Sequence, residues 1–173
     1  MSMDNHFALF QMAPGFAIDS AQLDAAYREV QGRVHPDKFA SATDAEKRVA
    51  MQWATRANEA YQTLKNPLKR AMYLCELNGV DLGIESNTAM PTVFLMQQME
   101  WREALDDARA AKNLNALEQP DVELNVTRRA ELDKIAALLE QSQFAQAGEQ
   151  IRQLMFVEKF GEEVARAFEV LEA

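Results

Sequence analysis

Two runs of apolar residues at helical spacing, parted by a single proline, limit residues 20–64 to little other than a helical hairpin. In the first run Leu23, Tyr27, Val30 and Val34 fall on one helical face. Asp19-Ser20 precedes it and can cap a helix N-terminus. Pro36 cannot extend that helix and biases His35 away from the α region, so the helix is predicted to end near Val34 or His35. Downstream, Thr43-Asp-Ala-Glu46 has capping-box spacing. Val49, Trp53, Ala57, Ala60 and Leu64 then form a second stripe, halted by Asn66-Pro67. A loop of about eight residues between two such helices predicts an antiparallel pair with His35, Pro36 and Asp37 at its tip. Exposed loops on a rigid scaffold are where binding groups tend to lie.

The rest of the chain is read as helical too, giving an all-α fold. Period-2 alternation never persists, while good helix formers dominate. A short apolar segment, residues 6–12, precedes the hairpin, and a last short helix of the first part is predicted to start near Pro67. Asn78-Gly79-Val-Asp-Leu-Gly83 breaks the pattern. This divides the chain into residues 1–75, a hinge over 76–84, and residues 85–173. The third part has helical stretches at roughly 91–111, 121–141 and 143–171, and short links between long helices predict an antiparallel three-helix bundle.

Composition removes several function classes. A net charge of −9 argues against a protein built to bind nucleic acid. One cysteine and two histidines leave little for a disulfide framework, a metal site or an iron–sulfur cluster, and no cofactor is expected. The first residues lack the basic start and apolar run of a secretory signal, and no run of about 18 apolar residues exists. A cytoplasmic soluble protein is therefore expected. Charge is unevenly divided: residues 1–75 hold nine Lys and Arg against eight Asp and Glu, whereas residues 76–173 hold nine against nineteen. Two parts with different partners would produce such an asymmetry.

The helix at 91–111 carries apolar residues on two faces. At about 100° per residue, Phe94, Trp101, Leu105 and Ala108 form the stripe expected to face the bundle. Leu95, Met96 and Met99 fall on the other side, with Glu103 among them and Glu100 beside them. A cluster containing two adaptable methionines fits a partner-binding surface; a contact with the other part of the chain, or a wide core stripe, would also explain it. In the last helix Phe156 fits neither apolar face well, so either it is exposed or the helix bends there.

The hairpin with His35-Pro36-Asp37, together with Asn58-Glu-Ala-Tyr61-Gln-Thr-Leu64 and Pro67-Leu-Lys-Arg70-Ala-Met-Tyr73, resembles a J domain. The third part, above all Phe94-Leu-Met-Gln-Gln-Met-Glu-Trp-Arg-Glu-Ala-Leu105, resembles the C-terminal domain of the HscB family of iron–sulfur co-chaperones. His35-Pro-Asp-Lys-Phe-Ala-Ser41 is typical of that family as well, and the resemblance spans nearly the whole chain. It implies a J domain that stimulates ATP hydrolysis by the DnaK-like chaperone HscA, and a bundle that binds and delivers the cluster scaffold IscU. On this resemblance the chain is no enzyme itself. His35, Pro36 and Asp37 match the family tripeptide, and Asp37 would accept charge-assisted hydrogen bonds from a chaperone arginine. Arg28, Arg33 and Lys38 would supply a basic docking face, interrupted by Asp24 and Glu29. Leu95, Met96, Met99, Glu100, Arg102, Glu103 and Phe156 match the scaffold-binding surface. Features of a general J protein, a Gly/Phe-rich linker or four paired-cysteine zinc motifs, are missing from a sequence with six Gly and one Cys. No Glu-x-x-His pair of a di-metal helical enzyme occurs either.

Overall fold

The computed structural model describes residues 4–83 and 89–173. Regular structure among them is entirely helical. Two compact units divide between Leu77 and Asn78. Glu76 and Leu77, read from sequence as hinge, complete a helix instead, and residues 84–88, at the end of the expected hinge and the start of the third part, lie outside the described residues.

The first unit is a helical hairpin flanked by two shorter helices. A short helix α1 (His6–Leu9) packs on the hairpin of α2 (Ser20–Arg33) and α3 (Asp44–Lys65), and α4 (Pro67–Leu77) packs on α3. The caps form as their sequences dictate. Asp19 accepts from the N–H groups of Ala21 and Gln22, and Thr43 and Glu46 close a reciprocal capping box. Phe7, Leu23, Val30, Ala57, Ala60, Leu64, Ala71 and Leu74 are buried, as is Cys75, whose thiol burial pushes up in pKa. Tyr27 stacks on Tyr61 with ring centres 4.1 Å apart, and Asp24 accepts from Tyr61 Oη at 2.7 Å and Lys65 Nζ at 2.8 Å. These contacts fix the register of α2 on α3. Arg70 is nearly buried and donates to the Leu64 carbonyl at 2.7 Å, satisfying one of the orphan acceptors at the end of α3.

Val49 departs from expectation. It lies on the apolar stripe of α3 yet is 52% exposed: it stands beside the end of α2 and the turn after it, in an open pocket shared with Arg33, Val34 and Phe39.

The second unit is a three-helix bundle of α5 (Thr92–Ala110), α6 (Glu118–Glu140) and α7 (Phe144–Glu172). Both links use the same device. Lys112 and Ser142 adopt left-handed backbone, with φ of 51° and 57°. The following N–H groups, of Asn113 and Gln143, return to the carbonyls of Ala108 and Leu138 at 3.0 and 2.8 Å. These are Schellman closures, which turn the chain sharply. Two reversals leave α7 running parallel to α5. Pro120, read as part of a break, sits in the first turn of α6, where its missing N–H has no helical acceptor to lose. Trp101 is core, its Nε1–H donating to Glu123 at 3.0 Å and its ring stacked on Phe160. A Cβ on Gly148 would stand 3.3 Å from Leu82 and 3.4 Å from Val80, and Arg152 donates to the Leu82 carbonyl at 2.9 Å. The segment just after the unit boundary is thereby held against α7. No helix among the described residues is long and apolar enough to cross a membrane.

Glu131 is a liability inside this bundle. It is 6% exposed, its Oε2 has no hydrogen-bond partner, and Lys134 Nζ lies 4.0 Å from Oε1. Desolvation holds its pKa above the usual carboxylate value, with Lys134 opposing. The folded chain thus favours the protonated form, and Glu131 destabilises increasingly as pH rises through its folded pKa. Glu131→Met is expected to stabilise the chain by about 1–2 kcal/mol above that pKa and by less in acid. Urea unfolding of both proteins at the two ends of that range checks this, and an equal or opposite difference would refute it.

Candidate partner-binding surfaces

The turn after α2 is built around its proline. His35 takes the extended conformation that a following proline favours (φ −61°, ψ 135°). Pro36 opens a single 3-10 turn, Pro36–Phe39. His35 Nδ1 accepts from the Asp37 N–H at 3.2 Å, and the His35 carbonyl accepts from the Lys38 N–H at 3.0 Å. The imidazole therefore caps the turn, a role that needs Nδ1 unprotonated and assigns the neutral ring's proton to Nε2. The Asp37 side chain is 91% exposed, with His35 Nδ1 3.6 Å from its Oδ2. The result is a carboxylate held on a stiff turn and presented to solvent.

Arg28, Arg33 and Lys38 are all exposed around this turn. Arg33 is paired with Glu29 one turn earlier on α2. Asp24 is turned to α3 by its bonds to Tyr61 and Lys65, and these partners, Lys65 first, hold its pKa below the usual range. It intrudes on the basic face less than its sequence position suggests. Beside the turn lies a shallow apolar pocket of 400 Å³, lined among others by Val34, Phe39, Val49 and Trp53. Sequence periodicity, having assigned Val49 to the core, did not reveal it.

The second surface lies between α5 and α7. Leu95, Met99, Arg102, Glu103 and Phe156 line one groove of 820 Å³. Met99 is 71% exposed, and Leu95, Met96 and Phe156 are exposed as well. Phe156 needs no bend in the helix: α7 is continuous through it, and the ring faces the groove. Met96 and Glu100 are exposed on the same side of α5 but outside the groove's lining. Arg102 pairs with Glu163 and lies over the Phe160 ring at 5.5 Å, so its guanidinium forms part of the wall. Asp106, Asp107 and Glu163 line the groove together with Gln98, Lys159 and Phe160. The α5 members share the angular sector of Leu95, a signal available from sequence. Of the α7 members, Lys159, Phe160 and Glu163 could be placed in it only once the parallel register of the two helices was known.

The chain is 59% identical over 169 residues to a Burkholderia mallei protein named "Co-chaperone protein HscB homolog", covering 98% of this chain and 97% of that one. The chain belongs to the HscB co-chaperone family. A second HscB homolog, from Paraburkholderia xenovorans, is 56% identical over the same length. Two HscB structures share the fold. "Chaperone HscB from Vibrio cholerae" matches with a TM-score of 0.85 at 38% identity, covering 96% of this chain and 99% of that one. Human co-chaperone protein HscB matches with a TM-score of 0.89 at 26% identity, covering 96% and 83%. Residues 90–165 match a family model described as the HSCB C-terminal oligomerisation domain, a span that contains every groove residue named above.

Proposed function

We propose that this HscB-family protein couples two partners in iron–sulfur cluster biogenesis in the cytoplasm. Its J domain, with His35, Pro36 and Asp37 at the tip and Arg28, Arg33 and Lys38 around it, docks on the DnaK-like chaperone HscA and stimulates ATP hydrolysis there. Its bundle, through Leu95, Met96, Met99, Glu100, Arg102, Glu103 and Phe156, binds the scaffold IscU and delivers it. The boundary between Leu77 and Asn78 acts as the hinge between the two. The chain performs no hydrolysis itself; it favours its partner's hydrolysis-competent state by binding that state better.

The observation that carries this reading is the presence, on two separate compact units, of two solvent-facing surfaces of opposite chemistry: a lone carboxylate on a stiff turn, and a Met-lined groove. The first suits a charge-assisted bond to a cation on a folded partner. The second suits an apolar side chain from another protein. Joining them raises the scaffold's effective concentration at the chaperone without any new contact.

Steady-state ATPase of HscA tests the proposal, run with this protein, with IscU, with both and with neither. Stimulation that rises sharply when both are present is the expected result. Stimulation indifferent to IscU would leave a J protein with some other client, and no stimulation at all would sink the reading.

A further inference from the structure

The groove between α5 and α7 continues beyond its Met-lined half. Because the helices run parallel, the positions that line it recur in step, at 95, 98–99, 102, 106 and 109 on α5 and at 156, 159–160, 163, 166–167 and 170 on α7. The second half has a volume of 750 Å³ and an apolar floor of Ala167, Val170 and Leu171. Its charge is reversed. Glu103, Asp106, Asp107 and Glu163 outnumber Arg102 and Lys159 around the first half, whereas Arg109, Lys112 and Arg166 border the second, which no acidic side chain lines. These are three of only nine cations in residues 76–173, a region with nineteen carboxylates. They are weakly engaged at home. Arg109 reaches Asp106 at 3.9 Å and Arg166 reaches Glu162 at 4.0 Å, all well exposed, and Lys112 makes no ion pair among the described residues.

Size connects the halves. A specific interface buries about 800 Å² on each side, a patch roughly 30 Å across. From Leu95 to Lys112 the groove runs only about 25 Å. A protein seated on the Met-lined half therefore covers the cations too, and covering them without counter-charge would carry a desolvation penalty. We propose that the cationic end is the second half of the scaffold's docking surface and receives an acidic, apolar-flanked segment of the scaffold. This rests on the function proposed above and extends it. The groove then reads polarity: its acidic half meets neutral or basic groups, its basic half meets carboxylates, and a scaffold docked in the reverse direction would oppose like charges.

The test is scaffold affinity of the full-length chain by calorimetry at about 50 and about 300 mM NaCl, a range over which screening shortens markedly. Lys112→Glu with Arg166→Glu is compared with Leu95→Ala with Met99→Ala. The charge-reversed protein is expected to bind about tenfold or more weakly at low salt, with the gap narrowing at high salt and the unfolding midpoint unchanged. Lys112→Gln with Arg166→Gln is expected to fall between it and the parent. If charge reversal leaves affinity unchanged while the alanine variant loses it, this inference fails and the scaffold-binding function stands. If neither variant loses affinity, the function reading fails and takes the inference with it. If charge reversal abolishes only self-association, followed by sedimentation velocity, the occupant is a second copy of this chain and the proposal is overturned.

Discussion

Asp37→Asn is expected to reduce stimulation of the HscA ATPase to baseline while leaving affinity for IscU unchanged. The substitution keeps the size of the side chain and removes its charge. The turn should survive, because it is set by Pro36 and by His35 Nδ1 accepting from the Asp37 backbone N–H, not from its side chain. What is lost is the carboxylate, 91% exposed and free to meet a guanidinium. Hydrogen bonds to charged groups contribute about 1.5–3 kcal/mol each, and a forked arginine makes two. A loss of that size in the docked state amounts to at least about a hundredfold. ATPase titration with the variant checks this, with circular dichroism to show that the hairpin is intact. Full stimulation by the variant would mean that Asp37 is not the docking group.

The second large effect is expected in the bundle. Replacing Leu95, Met96 and Met99 together with alanine should weaken scaffold binding by about 3 kcal/mol or more, since a few clustered apolar residues carry most of an interface's energy. Stability should change by less than about 1 kcal/mol, because exposed positions on a helix lose little when cut to alanine. The side chains are 44%, 58% and 71% exposed, so little of their area is buried in the free protein. Scaffold titration and thermal unfolding separate the two quantities. A large fall in unfolding midpoint would show that these residues support the fold and not the partner.

Much of this was legible in the sequence because it is local. The caps at Asp19 and Thr43 depend on residues two or three positions apart, and both form as expected. The two faces of α5 follow from helical pitch alone, and Phe94, Trp101, Leu105 and Ala108 are buried while Leu95, Met96 and Met99 are not. The failures are non-local. Periodicity placed Val49 on an apolar stripe but could not tell that it stands beside the end of α2, in a pocket left open to solvent. Pro120 read as a break because a breaker and a first-turn residue are the same residue until the helix start is known. The pairing of Glu163 with Arg102 was not legible, since the two are 61 positions apart. The α7 wall of the groove depended on inter-helix register, which spacing within one helix does not contain. The capping role of His35 needed coordinates, since a histidine accepting from the backbone at i+2 has no sequence signature of its own.

Cys75 carries a consequence for the cluster-handling role proposed above. It is the chain's one cysteine, it lies at 0% exposure in α4, and burial favours its protonated form. Iron and zinc bind the thiolate, and oxidants attack it, so both reactions are slowed at this position. In that role the chain presents no reactive thiolate to a partner's metal. Its one thiol is thereby withdrawn both from metal exchange and from oxidative cross-linking.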